Sequence, residues 1–210
     1  MKGFPQYPPV FQRCLLLLGH LVTKLLDTFK VEWITCGGTL LGQVREGGLI
    51  GHDDDIDFEV FAHSRKQFFD AVKYAQQHPE YGLCTVLHLP QMVKFTPMVS
   101  GPVFRKIGFD RPGIANPTAD VFLNEPAPDG GYRLTVGWPK WRYMPGEVFP
   151  IQKLPFSGQL WNAPRDPTGI LRRHYGDDYM TPRFYKWHTT KKSPKKKKCS
   201  KRCTTTSSAP

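Results

Sequence analysis

Apolar residues between positions 11 and 29 recur at three- and four-residue spacing. This spacing is typical of an amphipathic helix with one face on a core. The apolar positions are Phe11, Leu15, Leu18, Val22, Leu25, Leu26 and Phe29. Residues 1–10 contain three prolines and are predicted to form an irregular arm before this helix.

A β-type segment at residues 31–35 is followed by a glycine pair and a second apolar stretch. The pattern predicts a short strand, a tight turn at Gly37-Gly38, and a helix over residues 40–46 with Thr39 as its cap. Gly47-Gly48 is predicted to end that helix.

The remaining pattern alternates between strands and helices. Ser64 is predicted to cap a helix over residues 64–77, whose buried face contains Phe68, Phe69, Val72 and Ala75. Further segments are predicted as strands broken by prolines at 83–110, a strand at 119–123, an aromatic loop at 125–146 that includes Trp138 and Trp141, a hairpin at 148–161 and a helix near 169–174.

Charge is distributed unevenly along the 210 residues. The formal net charge is +11, but nine of the 29 Lys and Arg residues lie in residues 186–210, and all 18 acidic residues lie at or before Asp178. Residues 188–210 are almost free of apolar side chains and are predicted to be a disordered basic tail. The tail is a candidate contact for polyanions, with a solvated, inert end as the alternative.

Two features bear on the compartment. No uninterrupted apolar run approaches the roughly 20 residues of a membrane span, and the first 30 residues contain no clear secretory signal. The chain is therefore expected to be soluble as written, without a transmembrane segment. Five scattered cysteines argue against a disulfide framework.

Four carboxylates within five residues form an acidic cluster, defined as Asp53, Asp54, Asp55 and Asp57. In an extended segment Asp53, Asp55 and Asp57 share one face, while Asp54 lies on the other. Hard oxygen ligands at this density suit Mg²⁺ or Mn²⁺. An EF-hand is excluded because its sixth position would be Phe58 and its twelfth Ser64. An acidic surface loop remains the alternative.

The glycine turn precedes the acidic cluster by 14 residues. The N-terminus of a helix after such a turn is a common phosphate site, so Gly37, Gly38 and Thr39 are candidate phosphate-binding residues. Arg45 is another candidate, with a surface salt bridge as its alternative. Asp120 lies in a short apolar strand, where it either joins the metal site, acts as a base, or pairs with an arginine.

Several motifs together resemble the LicD/fukutin/fukutin-related family. They span roughly residues 11–187 in the expected order, which makes the resemblance far more specific than any single motif. The motifs are GGTLLGQVR at 37–45, GLI at 48–50, DDDID at 53–57, ADVF at 119–122, FP and KLPF at 149–150 and 153–156, and YGDDY at 175–179.

The resemblance implies a nucleotidyltransferase-like α/β (α+β) fold, a mixed β-sheet flanked by helices, over residues 11–187. It also implies transfer of phosphocholine, a phospho-alditol or a phospho-sugar from a nucleotide-diphosphate-linked donor to a glycan or glycoprotein hydroxyl. By position, Asp55, Asp57 and Asp120 match the metal ligands, with Mg²⁺ or Mn²⁺ as the cofactor. Asp53 joins them as a catalytic residue, and either Asp120 or Asp53 would accept the hydroxyl proton.

Two other functions are consistent with parts of the sequence. A glycosyltransferase with an Asp-x-Asp metal site explains the carboxylates but not the preceding glycine turn. A non-catalytic relative could bind polyanions through the basic tail. The resemblance also implies the Golgi or secretory pathway if an N-terminal segment is missing, whereas the chain as written is otherwise expected in the cytoplasm.

Overall fold

A mixed β-sheet with helices packed on it forms the centre of the computed structural model, which describes residues 6–89, 92–98, 102–108, 117–134 and 141–182. The helices are α1 (Pro9–Thr28), α2 (Gly37–Arg45), α3 (Arg65–Gln77), α4 (Pro102–Arg105) and α5 (Pro167–Tyr175). The strands are β1 (Trp33–Thr35), β2 (Asp55–Phe61), β3 (Leu83–Leu89), β4 (Met92–Pro97), β5 (Thr118–Pro126), β6 (Tyr132–Leu134), β7 (Arg142–Tyr143), β8 (Gln152–Phe156) and β9 (Gln159–Ala163).

The sheet has the order β1-β2-β5-β4-β3, and β6 and β7 extend it from β5. Strands β2 and β5 run parallel, and the other pairs are antiparallel. Strands β8 and β9 form a separate hairpin. The mixed α/β class predicted for the chain is therefore confirmed.

One face of the sheet is buried under α1 and α3. Alternate residues of β2, such as Ile56, Phe58 and Val60, point into this core. Because successive side chains on a strand point to opposite faces, Asp55, Asp57 and Glu59 point to the other face. A second, smaller core formed largely by α2, α5 and the segments around Tyr143 and Val148 flanks that face.

Helix α1 begins at Pro9, so the irregular arm is shorter than predicted. Proline is favoured at the first helical position because its missing N–H needs no partner there. By length and composition α1 is apolar enough to cross a membrane, with a mean hydropathy of 1.2, so the expectation that no segment of the chain has these two properties was wrong. Half of this segment is buried inside the fold, where Leu15, Leu18 and Val22 pack in the core. A buried core helix meets the same criterion of length and composition.

Several details of the predicted elements were wrong, including the segment 83–110, which contains the short helix α4 as well as strands. Ser64 does not cap α3 with its side chain; its Oγ accepts a hydrogen bond from the backbone N–H of Glu32 at 3.3 Å. Phe69 is 36% exposed, and Ala71 lies in the buried face of α3 instead. The loop predicted at 125–146 contains β6 and β7. Trp138 and the basic tail lie outside the described residues.

Candidate active site

Three neighbouring strands bring charged side chains into one row. In the parallel pairing of β2 with β5, Asp57 lies opposite Asp120. In the antiparallel pairing of β5 with β4, Asp120 lies opposite Lys94. Directly opposite residues share a face of the sheet, so this row lies on the face away from α1. The row joins residues that are 26 or more positions apart in the sequence.

The carboxylates form two overlapping groups. In each group, one oxygen from every residue lies within 4.8 Å of those of the others. One group is Asp55, Asp57 and Asp120, and the other is Asp53, Asp54 and Asp55. Asp54 was expected to face away, which is wrong because β2 begins only at Asp55 and the alternation of faces does not apply before it.

The N-terminus of α2 lies against these carboxylates. A Cβ atom at Gly37 would be 2.7 Å from Asp57 Oδ2, and one at Gly38 would be 2.5 Å from Asp53 Oδ2. Gly37 also has a φ of +54°, which favours glycine. The glycines therefore let the positive end of α2 approach the acidic cluster closely.

Thr39 connects α2 to β2 rather than capping the helix. No side chain caps α2, and the Thr39 Oγ1 instead accepts a hydrogen bond from the backbone N–H of Asp57 at 2.8 Å. The prediction that Thr39 caps the helix was wrong because α2 begins two residues earlier, at Gly37. The hydroxyl fixes the backbone of a site carboxylate.

Arg45 forms the salt bridge that the sequence left open as the alternative to phosphate binding. Its Nη2 lies 2.7 Å from Glu46 Oε1, so the surface salt bridge exists. The side chain is nevertheless only 9% exposed and lines the same cavity as the carboxylates. The role of Arg45 in phosphate binding stays a prediction.

The environment disfavours the ionised form of the site carboxylates. Burial, followed by repulsion from Asp54 and Asp120, raises the pKa of Asp55 to about 6, against a partial opposing effect of Lys94. Burial also raises the pKa of Asp53 and of Asp57, with neighbouring carboxylates as the next cause. A cation that binds between these carboxylates therefore stabilises their ionised forms.

The carboxylates lie in a cavity of about 580 Å³. Its wall is partly aromatic and apolar, and partly acidic, which is the mixture found in small-molecule sites. The lining residues that surround the carboxylates are Leu41, Arg45, Ile50, His52, Met92, Phe122, Leu134, Trp141, Tyr175, Asp178 and Tyr179.

Glu59 forms the inner end of the same strand face and also lines the cavity. It is fully buried and accepts a hydrogen bond from Asn124 Nδ2 at 2.6 Å. Burial raises its pKa to about 7, while hydrogen bonds from Tyr143, Asn124 and Cys36 lower it. The residue is bound into a buried polar network behind the acidic cluster.

Sequence reasoning missed Lys94 and did not assign Tyr175 to the site. Lys94 alternates with buried Val93 and Phe95 on β4, which is the signal that a lysine points to the opposite, functional face. Tyr175 belongs to the YGDDY motif, and burial followed by the nearby Asp57 raises its phenol pKa. Asp120 does pair with a cation, but with Lys94 rather than an arginine.

The residues present fit a divalent metal ion. Carboxylate oxygens are the ligands that Mg²⁺ and Mn²⁺ prefer, and three residues from two strands offer them at one point. Asp55, Asp57 and Asp120, the set that the family resemblance implies, would hold the ion.

Comparison with known proteins gives a family for the chain. The sequence model described as LicD/FKTN/FKRP, nucleotidyltransferase domain, matches residues 30–166. The lipopolysaccharide cholinephosphotransferase LicD of Haemophilus influenzae is 33% identical over 72 residues, which are 34% of this chain and 26% of that protein. The chain thus matches about a quarter of the length of this curated relative.

Solved structures share low identity with this chain. The solution structure of the antibiotic-resistance factor ANT(2'')-Ia has a TM-score of 0.46 and 14% identity, covering 73% of this chain and 66% of that one. The lincomycin-bound lincosamide adenylyltransferase LnuA has a TM-score of 0.41 and 13% identity, covering 76% and 82%. The family match over residues 30–166 includes the glycine turn, the acidic cluster and Asp120, so the chain belongs to the LicD/FKTN/FKRP nucleotidyltransferase-domain family.

Proposed function

We propose that this protein is a cation-dependent transferase of phosphorus-containing groups. It moves a phosphocholine, phospho-alditol or phospho-sugar group from a nucleotide-diphosphate-linked donor to a hydroxyl of a glycan or glycoprotein. Membership of the LicD/FKTN/FKRP family supports the reaction class, and the cholinephosphotransferase activity in the name of the Haemophilus relative supports the type of group.

One observation carries the proposal. One oxygen each of Asp55, Asp57 and Asp120 lies within 4.8 Å of the others, and the N-terminus of α2 lies beside this group. Phosphates bind well at helix N-termini, and divalent ions bind well between carboxylates. The two features share one cavity, which is the arrangement that a nucleotide-diphosphate donor requires.

Each side chain then has a distinct role. Asp55, Asp57 and Asp120 hold the divalent ion, which when bound supplies charge neutralisation at the donor pyrophosphate. The N-terminus of α2 and Arg45 orient the phosphates.

Asp53 is the better candidate for the group that accepts the acceptor's hydroxyl proton. Its raised pKa makes it a stronger base, whereas the carboxylate of Asp120 holds the divalent ion.

A thermal-shift panel tests the proposal without knowledge of the acceptor. We expect CDP-choline or a CDP-alditol to raise the melting temperature in the presence of Mg²⁺ or Mn²⁺ and not in EDTA, because a ligand that binds the folded state stabilises it by mass action. Turnover should release CMP. Release of UDP or GDP from sugar nucleotides would instead identify the Asp-x-Asp glycosyltransferase.

Asp57→Asn provides the matched test of the metal ligands. We expect loss of the cation-dependent shift and a fall in turnover of about two orders of magnitude or more, with the fold intact. Asp70→Asn, on the exposed side of α3, is the control and should behave as the wild type. Unchanged turnover in Asp57→Asn would refute the assignment.

A further inference from the structure

Lys94 places a positive charge inside the candidate metal site. Its Nζ lies 2.6 Å from one carboxylate oxygen of Asp120 and 2.7 Å from the other. The Nζ also donates a hydrogen bond to Thr118 Oγ1 at 3.2 Å. The Lys94 side chain is 23% exposed and that of Asp120 is 11% exposed. Solvent therefore screens this pair only partly.

The same Asp120 carboxylate belongs to the group that would hold the divalent ion. One of its oxygens lies within 4.8 Å of one oxygen each of Asp55 and Asp57, so an ion bound by all three residues would lie within a few ångströms of the ammonium. Like charges this close repel strongly where solvent screening is weak. The ammonium and a divalent ion therefore compete for Asp120.

The Lys94 ammonium has a second potential partner, an anion bound in the cavity. Met92, two residues earlier on the same face of β4, lines the cavity, and so does Asp120, which the Lys94 ammonium contacts. A lysine side chain carries its charge on a flexible four-carbon stem and is a common ligand of phosphate. An ammonium released from Asp120 remains within reach of an anion in the cavity.

We propose that Lys94 is an exchangeable counter-ion: a divalent metal displaces its ammonium from Asp120, and the released ammonium binds a phosphate of the donor. This inference rests on the proposed function, because it needs a divalent ion and a phosphate-bearing ligand in the same cavity. No covalent bond is made or broken in the exchange.

The exchange predicts that removing the ammonium changes the affinities for two ligands in opposite directions. Removing the ammonium removes the competitor for Asp120, so Lys94→Met should bind Mn²⁺ more tightly than the wild type, by about tenfold. The same variant lacks the phosphate contact, so its affinity for inorganic pyrophosphate at saturating Mn²⁺ should be weaker, also by about tenfold. A purely structural role for Lys94 would weaken both.

The experiment measures free Mn²⁺ by electron paramagnetic resonance and pyrophosphate by calorimetry, using the full chain. Lys94→Arg keeps the positive charge and should retain the Mn²⁺ affinity of the wild type. Lys66→Met removes an exposed lysine of α3 and is the control for net charge. Should Lys94→Met fail to fold by circular dichroism, Lys94→Gln takes its place with the same expectation.

A double-variant cycle tests whether Lys94 acts through Asp120. In the Asp120→Asn background, Lys94→Met should change Mn²⁺ affinity by less than about twofold, because the group for which the two cations compete is gone. Equal or weaker Mn²⁺ binding in Lys94→Met, or an undiminished effect in the Asp120→Asn background, would overturn the proposal.

The experiment distinguishes failure of the exchange from failure of the proposed function. If the wild type binds Mn²⁺ no more tightly than Asp57→Asn does, the metal site itself is refuted. If the wild type binds Mn²⁺ through Asp57 and Lys94→Met does not bind it more tightly, only the exchange is refuted.

Discussion

At the residue scale, the hydroxyl of Thr39 has a structural role in the site. Its Oγ1 accepts the backbone N–H of Asp57, so it fixes a site carboxylate at its own strand position. Gly37, Gly38 and Thr39 were predicted from the sequence as a phosphate site, and the structure places all three beside the carboxylates. Thr39 acts there on the protein backbone, which a local cap prediction does not anticipate.

We therefore expect Thr39→Val to lower the free energy of unfolding by about 1–3 kcal/mol, because the enclosed N–H of Asp57 loses its partner. Urea denaturation measures this change. Thr39→Ser keeps the hydroxyl and should lose much less. Equal losses in both variants would show that the methyl group, and not the hydrogen bond, matters.

The pKa of Asp55 predicts a pH dependence with a definite sign. Burial raises this pKa from 3.8 to about 6 on folding, so the group's contribution to stability is fully present below about pH 3.8 and is lost as the pH rises through about 6. In EDTA, the melting temperature of the wild type should fall relative to that of Asp55→Asn as the pH rises from 4.5 to 7. Parallel curves for the two proteins would contradict this.

The same titration sets the cation dependence. Metal ligands must be deprotonated, so the stabilisation by Mg²⁺ should be small at pH 5 and increase towards pH 7.5. Thermal shifts at fixed Mg²⁺ across this range measure it. A shift that stays constant with pH would show that the ion binds elsewhere.

At the scale of elements, two glycines let α2 pack closely against neighbouring segments of the chain. A Cβ atom at Gly42 would collide with the backbone carbonyl oxygen of Gly48, whereas one at Gly38 would meet only the side-chain oxygen of Asp53. A backbone obstacle cannot move aside cheaply, but a carboxylate can rotate. The same substitution should therefore have different effects at Gly38 and at Gly42 of one helix.

We expect Gly42→Ala to lower the free energy of unfolding by about 1–3 kcal/mol. Gly38→Ala should change stability less and should weaken Mn²⁺ binding, because the added methyl group displaces the Asp53 carboxylate from the acidic cluster. Urea denaturation and Mn²⁺ titration of both variants separate the two effects. The reverse ranking of stability would refute this account of α2.

At the scale of the whole molecule, charge is divided between the family domain and the tail. Residues 1–185 contain 20 basic and 18 acidic residues, whereas residues 186–210 contain nine basic residues and no acidic ones. The boundary at 188 stays a prediction, because the tail lies outside the described residues. Polyanion binding through such a tail is electrostatic and falls steeply with salt.

Deletion of residues 188–210 is therefore expected to leave turnover and Mn²⁺ affinity unchanged. Heparin binding at 50 mM salt should weaken strongly in the deletion, and both proteins should bind heparin poorly at 500 mM salt. Loss of turnover on deletion would instead assign the tail to the donor or acceptor site.

The sequence by itself determined the elements with strong local signals. The spacing of α1, the glycines that bound α2 and the hairpin near the C-terminus depend on nearby residues, so their types could be read from the chain. The acidic cluster and its glycine turn could be found for the same reason. Local periodicity failed at Asp54, because the point at which β2 begins is set by its pairing with β5.

Only the tertiary structure decided which distant side chains meet. The row of Asp57, Asp120 and Lys94 exists because parallel pairing of β2 with β5 and antiparallel pairing of β5 with β4 fix a common register. Register depends on how whole strands bury their apolar faces under α1 and α3, which no local window of sequence contains. The sequence thus supplied the carboxylates, and the packing of the sheet supplied the cation beside them.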